Sequence, residues 1–146
     1  MSSLAALPEP VPLTRREHLE GRLALISAWY LLLLYRDSPR MLAAYLAGRA
    51  RTMTAATAEQ TAYARSVITT ISPRCGSDRG CLLRSTATAF LCQRRHRSWP
   101  TWRTGMRYPP LMSHAWLEAE GRPIGEDPST IALYTVVFTV PSGETA

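Results

Sequence analysis

Three residue types in the second half of this 146-residue chain could together perform nucleophilic chemistry: a cysteine, a histidine and an acid. Cys81 follows Asp78-Arg79-Gly80 at a predicted helix start, where the helix dipole and free backbone amides favour the thiolate. His114 begins a predicted strand about thirty residues later, and Glu126 and Asp127 follow on the next strand. These residues suit a Cys-His-acid enzyme, in which the thiolate attacks a carbonyl, the imidazole moves protons and the acid fixes its tautomer.

The other cysteines and histidines have weaker claims to chemistry. Cys92 lies three turns inside the same predicted helix and is interpreted as an inert core thiol, and Cys75 sits in a loop with no evident base. His18 and His96 are interpreted as surface residues. Cys75 and Cys81 are six residues apart and no Cys-x-x-Cys pair exists, so a zinc site is not supported. We therefore expect no metal and no other cofactor.

The choice of acid stays open at this level. Glu120-Gly121 is the turn signal of an antiparallel hairpin. A two-residue turn there would place Asp127 opposite His114 and turn Glu126 to the other face of the sheet. A bulge or a three-residue turn would reverse that assignment. Both acids are therefore candidates.

Capping signals predict the helices of the first half. Pro8, Pro10 and Pro12 predict an extended arm over residues 1–13. Thr14-x-x-Glu17 predicts a first helix from about Arg15 to Leu34, and Ser38-Pro39 predicts a second helix through about Ala50. Thr57-x-x-Gln60 predicts the start of a third helix, whose core face carries Tyr63, Val67, Ile68 and Ile71. A fourth helix is predicted from Cys81 to about Arg95, with Leu82, Ala89 and Phe90 facing inward.

After Ser98 the pattern changes to short aromatic or β-branched segments separated by Gly and Pro. The predicted strands are Trp102 to Tyr108, His114 to Glu120, Pro123 to Glu126 and Ala132 to Val140, with Trp116 on the same face as His114. Helices followed by strands predict an α+β domain, with the helix at Cys81 packed on a small antiparallel sheet. We expect a single domain over residues 14–146, with a helical part to residue 72 and a catalytic core from residue 73.

The segment Leu23 to Leu34 is apolar for 12 residues between two arginines. A bilayer span needs about 20 such residues, so we expect no membrane span. A helix that is apolar on most faces is predicted to be buried between other elements, although an interface with a partner protein would give the same pattern.

The charge balance allows a second class of function. All 17 basic residues are arginine, against 11 acids, for a net charge of +6. One alternative is therefore a non-catalytic module that binds nucleic acid or an acidic peptide. It would use Arg94, Arg95, Arg97, Arg103 and Arg107, with Trp99 and Trp102 as stacking platforms. We instead expect this charge to be solvated or paired, with no nucleic-acid partner.

Three motifs carry a family resemblance: Gly80-Cys81-Leu82-Leu83-Arg84-Ser85, His114-Ala115-Trp116-Leu117-Glu118 and Gly121-Arg122-Pro123-Ile124-Gly125-Glu126. From about Ser72 onward the chain resembles the transglutaminase-like cysteine peptidases of lasso-peptide biosynthesis, often called B proteins. The resemblance implies a papain/transglutaminase-like fold, Cys81 as nucleophile and His114 as general base and acid. Its spacing points to Glu126 as the acid, while Asp-Pro-Ser-Thr resembles the Asp-Pro-Thr of wider transglutaminase-like folds and keeps Asp127 as an alternative.

The same resemblance implies a substrate and partners. Such peptidases remove the leader from a ribosomally made precursor peptide, and a separate asparagine-synthetase-like cyclase then joins the freed core to an Asp or Glu side chain. The leader is captured by a small recognition-element domain, for which 146 residues leave no room, so we expect a separate leader-binding protein. An acyltransferase using the same three residues is a further alternative. The N-terminus lacks a secretory signal, which predicts a cytoplasmic protein with free thiols.

Overall fold

The predicted helices form close to their expected bounds in the computed structural model, which describes residues 8–142. Thr14 and Thr57 each close a capping box, with Glu17 and Gln60 respectively, and Ser38 caps the second helix before Pro39. The four helices are α1 (Arg15–Leu34), α2 (Pro39–Ala50), α3 (Ala58–Ile71) and α4 (Cys81–His96). Of the predicted arm, residues 1–7 lie outside the described residues and residues 8–13 contain no helix or strand.

A four-stranded antiparallel sheet follows the helices, and its strands lie side by side in the order Arg122–Pro123, Met112–Ala119, Thr101–Arg107, Thr135–Val140. Its strands are β3 (Thr101–Arg107), β4 (Met112–Ala119), β5 (Arg122–Pro123) and β6 (Thr135–Val140), and a short helix α5 (Pro128–Ile131) precedes β6. Two short segments, β1 (Thr54–Ala55) and β2 (Ser98–Trp99), pair in parallel beside it. The predicted strands over 123–126 and 132–140 are therefore shorter than expected, because the chain turns away after Pro123 and forms α5.

Helix α4 packs on the sheet and forms the centre of the core. Its residues from Arg84 to Cys92 are all buried, and they pack with Trp102 and Leu117 of the sheet. Trp99 and Trp102 are at most 1% exposed, so neither is available as a stacking platform for bases. The predicted α+β class, with helices first and α4 against a small antiparallel sheet, is confirmed.

Helix α1 is not buried between other elements, and that prediction was wrong. Its buried face carries small side chains, Ala24 and Ala28, while Ile26, Tyr30 and Leu34 are each more than 60% exposed. The small residues let α1 pack closely against its neighbours. The large apolar side chains lie on the opposite face of the helix, which is exposed in the described part of the chain. Within residues 8–142 no helix is long and apolar enough to cross a bilayer.

Two predictions about which side chains face the core are also wrong. Leu82 is 36% exposed rather than inward, because the first turn of α4 lies at the edge of the core. Tyr63 is 42% exposed and its hydroxyl donates to the Glu17 carboxylate, so its ring lies at the rim of the α1–α3 contact.

Candidate active site

Cys81 is the first residue of α4 and is held there by a tight preceding loop. Two 3₁₀ turns, Pro73–Gly76 and Asp78–Gly80, lead into the helix. A side chain at Gly80 would lie 2.8 Å from the Cys75 Cα atom, so only glycine allows this approach. The N-cap Gly80 supplies no side-chain hydrogen bond, which leaves the first-turn amides available to a negative charge.

His114 lies on β4 within reach of both the thiol and an acid. Its Nε2 is 3.2 Å from Glu126 Oε2, and both side chains are about 15% exposed or less. The Cys81 thiol lies near the His114 side chain and the backbone N–H of Ala115, and both lower the pKa of the thiol. Because Nε2 faces Glu126, Nδ1 is the ring nitrogen that remains for the thiol. The structure thus brings Cys81, His114 and Glu126 together in one chain of contacts.

Aromatic rings fix the orientation of the imidazole. Trp116 stacks beside His114 with ring centroids 6.0 Å apart and an angle of 17°, as the shared strand face predicts. Tyr134 packs against His114 at 5.6 Å and was not expected from the sequence. Gly105 pairs with His114 across the sheet, and a Cβ atom there would lie 3.0 Å from the Trp116 ring. A glycine inside a predicted strand, such as Gly105, is the sequence feature that could have indicated this close approach.

Asp127 lies away from the imidazole. Its carboxylate is exposed and caps α5, accepting from the Ser129 backbone N–H at 3.1 Å and the Ser129 hydroxyl at 2.9 Å. The two-residue turn at Glu120-Gly121 does form, with Ala119 opposite Arg122. The strand pairing ends at Pro123, and Gly125, whose φ is 69°, turns the chain so that the following Glu126 side chain reaches His114.

A buried arginine connects the acid to the loop before the cysteine. Arg84 is 6% exposed, and its Nη2 donates to Glu126 Oε1 at 3.2 Å. Its Nη1 donates to the backbone carbonyls of Cys75 at 2.7 Å and Ser77 at 3.3 Å. Arg84 belongs to the first of the three motifs that carry the family resemblance. The contacts correspond to support of both the loop and Glu126.

The electrostatics of the three groups favour a thiolate beside an imidazolium. Burial raises the pKa of the Cys81 thiol, but hydrogen bonds from His114 and Ala115 and the charges of His114 and Arg84 outweigh it, so the pKa lies below its ordinary value. Burial lowers the pKa of His114, whereas its contacts with Cys81 and Glu126 raise it, overall to about 9. Burial likewise raises the pKa of Glu126, and the His114 hydrogen bond with the charges of His114, Arg84 and Arg65 brings it below the usual range.

The remaining thiols lack this environment. Cys75 and Cys92 are fully buried, and burial raises the pKa of both, that of Cys92 to about 12. Cys81 is the partly exposed one of the three free cysteines. Among residues 8–142 no group of three or more His, Cys, Asp or Glu side chains is arranged to hold a metal ion.

Comparison with known proteins adds the family. No curated protein and no solved structure matches the chain. A family model described as transglutaminase-like superfamily matches residues 24–139, which is more than three quarters of the chain and includes Cys81, His114 and Glu126. The match also covers α1 from Ala24 onward, where the motif resemblance had reached back only to about Ser72. The chain belongs to the transglutaminase-like superfamily.

Proposed function

We propose that this protein is a cysteine peptidase that removes the leader from a lasso-peptide precursor. Membership of the transglutaminase-like superfamily supports a thiol enzyme that acts as peptidase or acyltransferase. The observation that carries the proposal is the contact chain from the Cys81 thiol through His114 to Glu126. The lasso-peptide substrate is favoured by the three motifs around these residues, whose sequence and spacing resemble the leader peptidases of that pathway.

The geometry suits acyl transfer through a thioester. Cys81 Sγ, deprotonated by His114, attacks the carbonyl carbon of the leader–core peptide bond, and the oxygen that becomes negative faces the free backbone amides at the start of α4. His114 then donates its proton to the leaving amine, which frees the N-terminus of the core peptide. A water molecule, deprotonated by His114, hydrolyses the thioester and releases the leader. Glu126 holds the imidazole in one tautomer through both steps.

The leader is delivered by a separate recognition-element protein in this proposal, and the freed core passes to an asparagine-synthetase-like cyclase. We assign the exposed apolar face of α1 to the leader-binding partner. That face is defined by Leu19, Ile26, Tyr30, Leu33 and Leu34, each at least 45% exposed. A contiguous apolar stripe of this kind on a helix marks a protein interface more often than plain surface.

A cleavage assay tests the chemistry. The substrate is a lasso-peptide precursor sought among the neighbouring reading frames, supplied with a leader-binding protein from the same neighbourhood, and the product masses are measured by mass spectrometry. Wild-type protein should release leader and core, Cys81→Ala and His114→Ala should release neither, and Cys92→Ala serves as the matched thiol control that retains cleavage. If Cys81→Ala and His114→Ala both still cleaved the precursor, the thiol mechanism would be refuted.

The same assay separates the alternatives. A leader joined to an added amine, rather than released as a free acid, would show an acyltransferase. Retention of precursor binding in Cys81→Ala, with affinity that falls steeply with salt and no product in any mixture, would favour an arginine-rich binding module.

A second variant tests the partner surface. Ile26→Asp should weaken partner-dependent cleavage about tenfold or more, because it places a charge in the apolar face. It should leave alkylation of Cys81 by iodoacetamide unchanged. Ala62→Asp, on the exposed side of α3, is the control and should affect neither measurement. Equal cleavage by both variants would exclude this face as the interface.

A further inference from the structure

An apolar cavity of about 260 Å³ opens between the helices and the sheet, and Leu82, the residue after Cys81, is part of its lining. Its walls include Leu42 of α2, Leu82 of α4, Thr104 of β3, Ser113 of β4 and Phe138 of β6. Of its described lining residues only Arg36 is charged, and that side chain is 73% exposed. At about 30 Å³ per water, the space would hold roughly nine waters, enough for a large aliphatic or aromatic side chain.

The cavity adjoins the candidate active site at two points in the chain. Leu82 follows Cys81 on the exposed first turn of α4, and Ser113 precedes His114 on β4. Side chains alternate along a strand, so Ser113 faces the cavity while His114 faces the opposite side of the sheet. Cys81 lies at the edge between the two faces, where it contacts the Ala115 backbone N–H.

The edge of β4 away from β3 has no strand beside Ser113 among residues 8–142, and Ser113 is the residue of β4 that lines the cavity. Strand β5 pairs only with Glu118 and Ala119, and the Ile124 N–H donates to the Leu117 carbonyl just before them. Backbone groups of alternate residues point to the same edge, so Ser113 and Ala115 share the direction of Leu117. Ala115 lies near Cys81, whereas the N–H and C=O of Ser113 have no partner on this edge in the described part of the chain and can pair with an extended peptide.

We propose that the substrate peptide lies extended along this edge of β4 and places one large apolar side chain in the cavity, within a few residues of the bond that Cys81 attacks. This inference rests on the proposed function, which identifies the bound peptide as a substrate. Selectivity follows from the lining: a charged side chain would lose its hydration against mainly apolar walls, where the one charged residue, Arg36, is 73% exposed, and a glycine would leave the cavity unfilled.

Binding tests the cavity without requiring turnover. The probes are acetyl-leucine amide and acetyl-tryptophan amide, compared with acetyl-aspartate amide and acetyl-glycine amide, titrated into ¹⁵N-labelled Cys81→Ala protein. The two apolar probes should bind at least about tenfold more tightly than the other two. The amide chemical-shift changes that these probes cause in NMR spectra should be largest at Leu82, Thr104 and Ser113. Equal binding of all four probes, or shifts centred elsewhere, would overturn the proposal.

Two variants place the binding in the cavity, each made in the Cys81→Ala background. Thr104→Phe should fill the space and weaken apolar binding about tenfold, while Thr139→Phe, the same change on exposed β6, should not. Val137→Glu adds a carboxylate at the lining, where Val137 is 48% exposed, and should weaken the leucine probe without threatening the core. Unchanged affinity in both cavity variants would refute the assignment.

Cleavage separates this inference from the proposed function. Each precursor residue near the cleavage site is replaced in turn by Leu and by Asp, and kcat/KM is compared. One position should favour Leu over Asp at least about tenfold, and Thr104→Phe should remove the preference. Cys81-dependent cleavage with no such position would overturn the inference and leave the function standing. Selective binding of the apolar probes with no cleavage would overturn the function and leave the cavity as an apolar side-chain site.

Discussion

Replacement of Arg84 by methionine tests whether this buried guanidinium positions the acid and the cysteine loop. Methionine keeps much of the apolar stem but removes three hydrogen bonds, one to Glu126 and two to the carbonyls of Cys75 and Ser77. Breaking a buried ion pair by removing one partner costs about 3–5 kcal/mol. Arg65 remains near Glu126, and the repulsion between the two guanidinium groups is relieved. We therefore expect the lower end, about 3 kcal/mol of unfolding free energy, or roughly 10 °C in Tm for a domain of this size.

Arg84→Met should also change the reactivity of Cys81, which a merely structural role would not require. The positive charge of Arg84 helps lower the pKa of the Cys81 thiol. Its removal should therefore move the onset of iodoacetamide alkylation to higher pH. Urea unfolding gives the stability, and mass spectrometry gives the alkylation rate between pH 5 and 10 at a temperature where the variant is folded.

The matched control is Arg79→Met, an exposed arginine in the same loop. It should change stability by less than about 0.5 kcal/mol and leave the alkylation profile unchanged. If Arg84→Met behaved like Arg79→Met in both measurements, the positioning role of Arg84 would be excluded.

Four further variants test the site. Glu126→Gln should lower kcat about 10²- to 10⁴-fold, while Asp127→Asn should leave it near wild type; the reverse order in the cleavage assay would assign the acid to Asp127. His114→Ala should move Cys81 alkylation to higher pH, since His114 lowers the pKa of that thiol, and an unmoved profile would contradict the thiolate–imidazolium pair. Gly105→Ala should cost about 1 to 3 kcal/mol in urea unfolding, because its methyl group meets the Trp116 ring; wild-type stability would contradict this crowding.

Local sequence signals predicted the elements that carry the cysteine and the histidine. A helix start is specified by a few adjacent residues, as at Thr14 and Thr57, and a hairpin by the two residues at its turn. The fourth helix was predicted to begin at Cys81, after a short loop that contains Gly76 and Gly80, and a strand was predicted to begin at His114. The structure confirms a helix that begins at Cys81 and a strand that contains His114. The proximity of the two side chains depends on how α4 packs against the edge of β4, and spacing along the chain does not encode that packing.

Strand register alone did not predict which acid lies beside His114. The hairpin register holds as predicted through Pro123, and extending it would have placed Asp127 opposite His114. Gly125 interrupts the strand at a positive φ, a conformation that glycine adopts at little cost. The signal was present in the sequence as a glycine one residue before Glu126, but its effect on direction depends on what packs there, in this case the Arg65 side chain against Gly125.

The exposed face of α1 shows another limit of prediction from the sequence. Hydrophobicity alone did not determine which side of this helix is buried. Gly21, Ala24 and Ala28 recur at helical spacing, and a Cβ atom at Gly21 would lie 3.0 Å from a Val67 methyl group. Small residues at that spacing permit close helix packing, whereas Ile26 and Tyr30 would hold a neighbouring helix away. The buried stripe was thus encoded by residue size rather than by apolarity. The large apolar residues of α1 need a different explanation, which a binding partner on that face would provide.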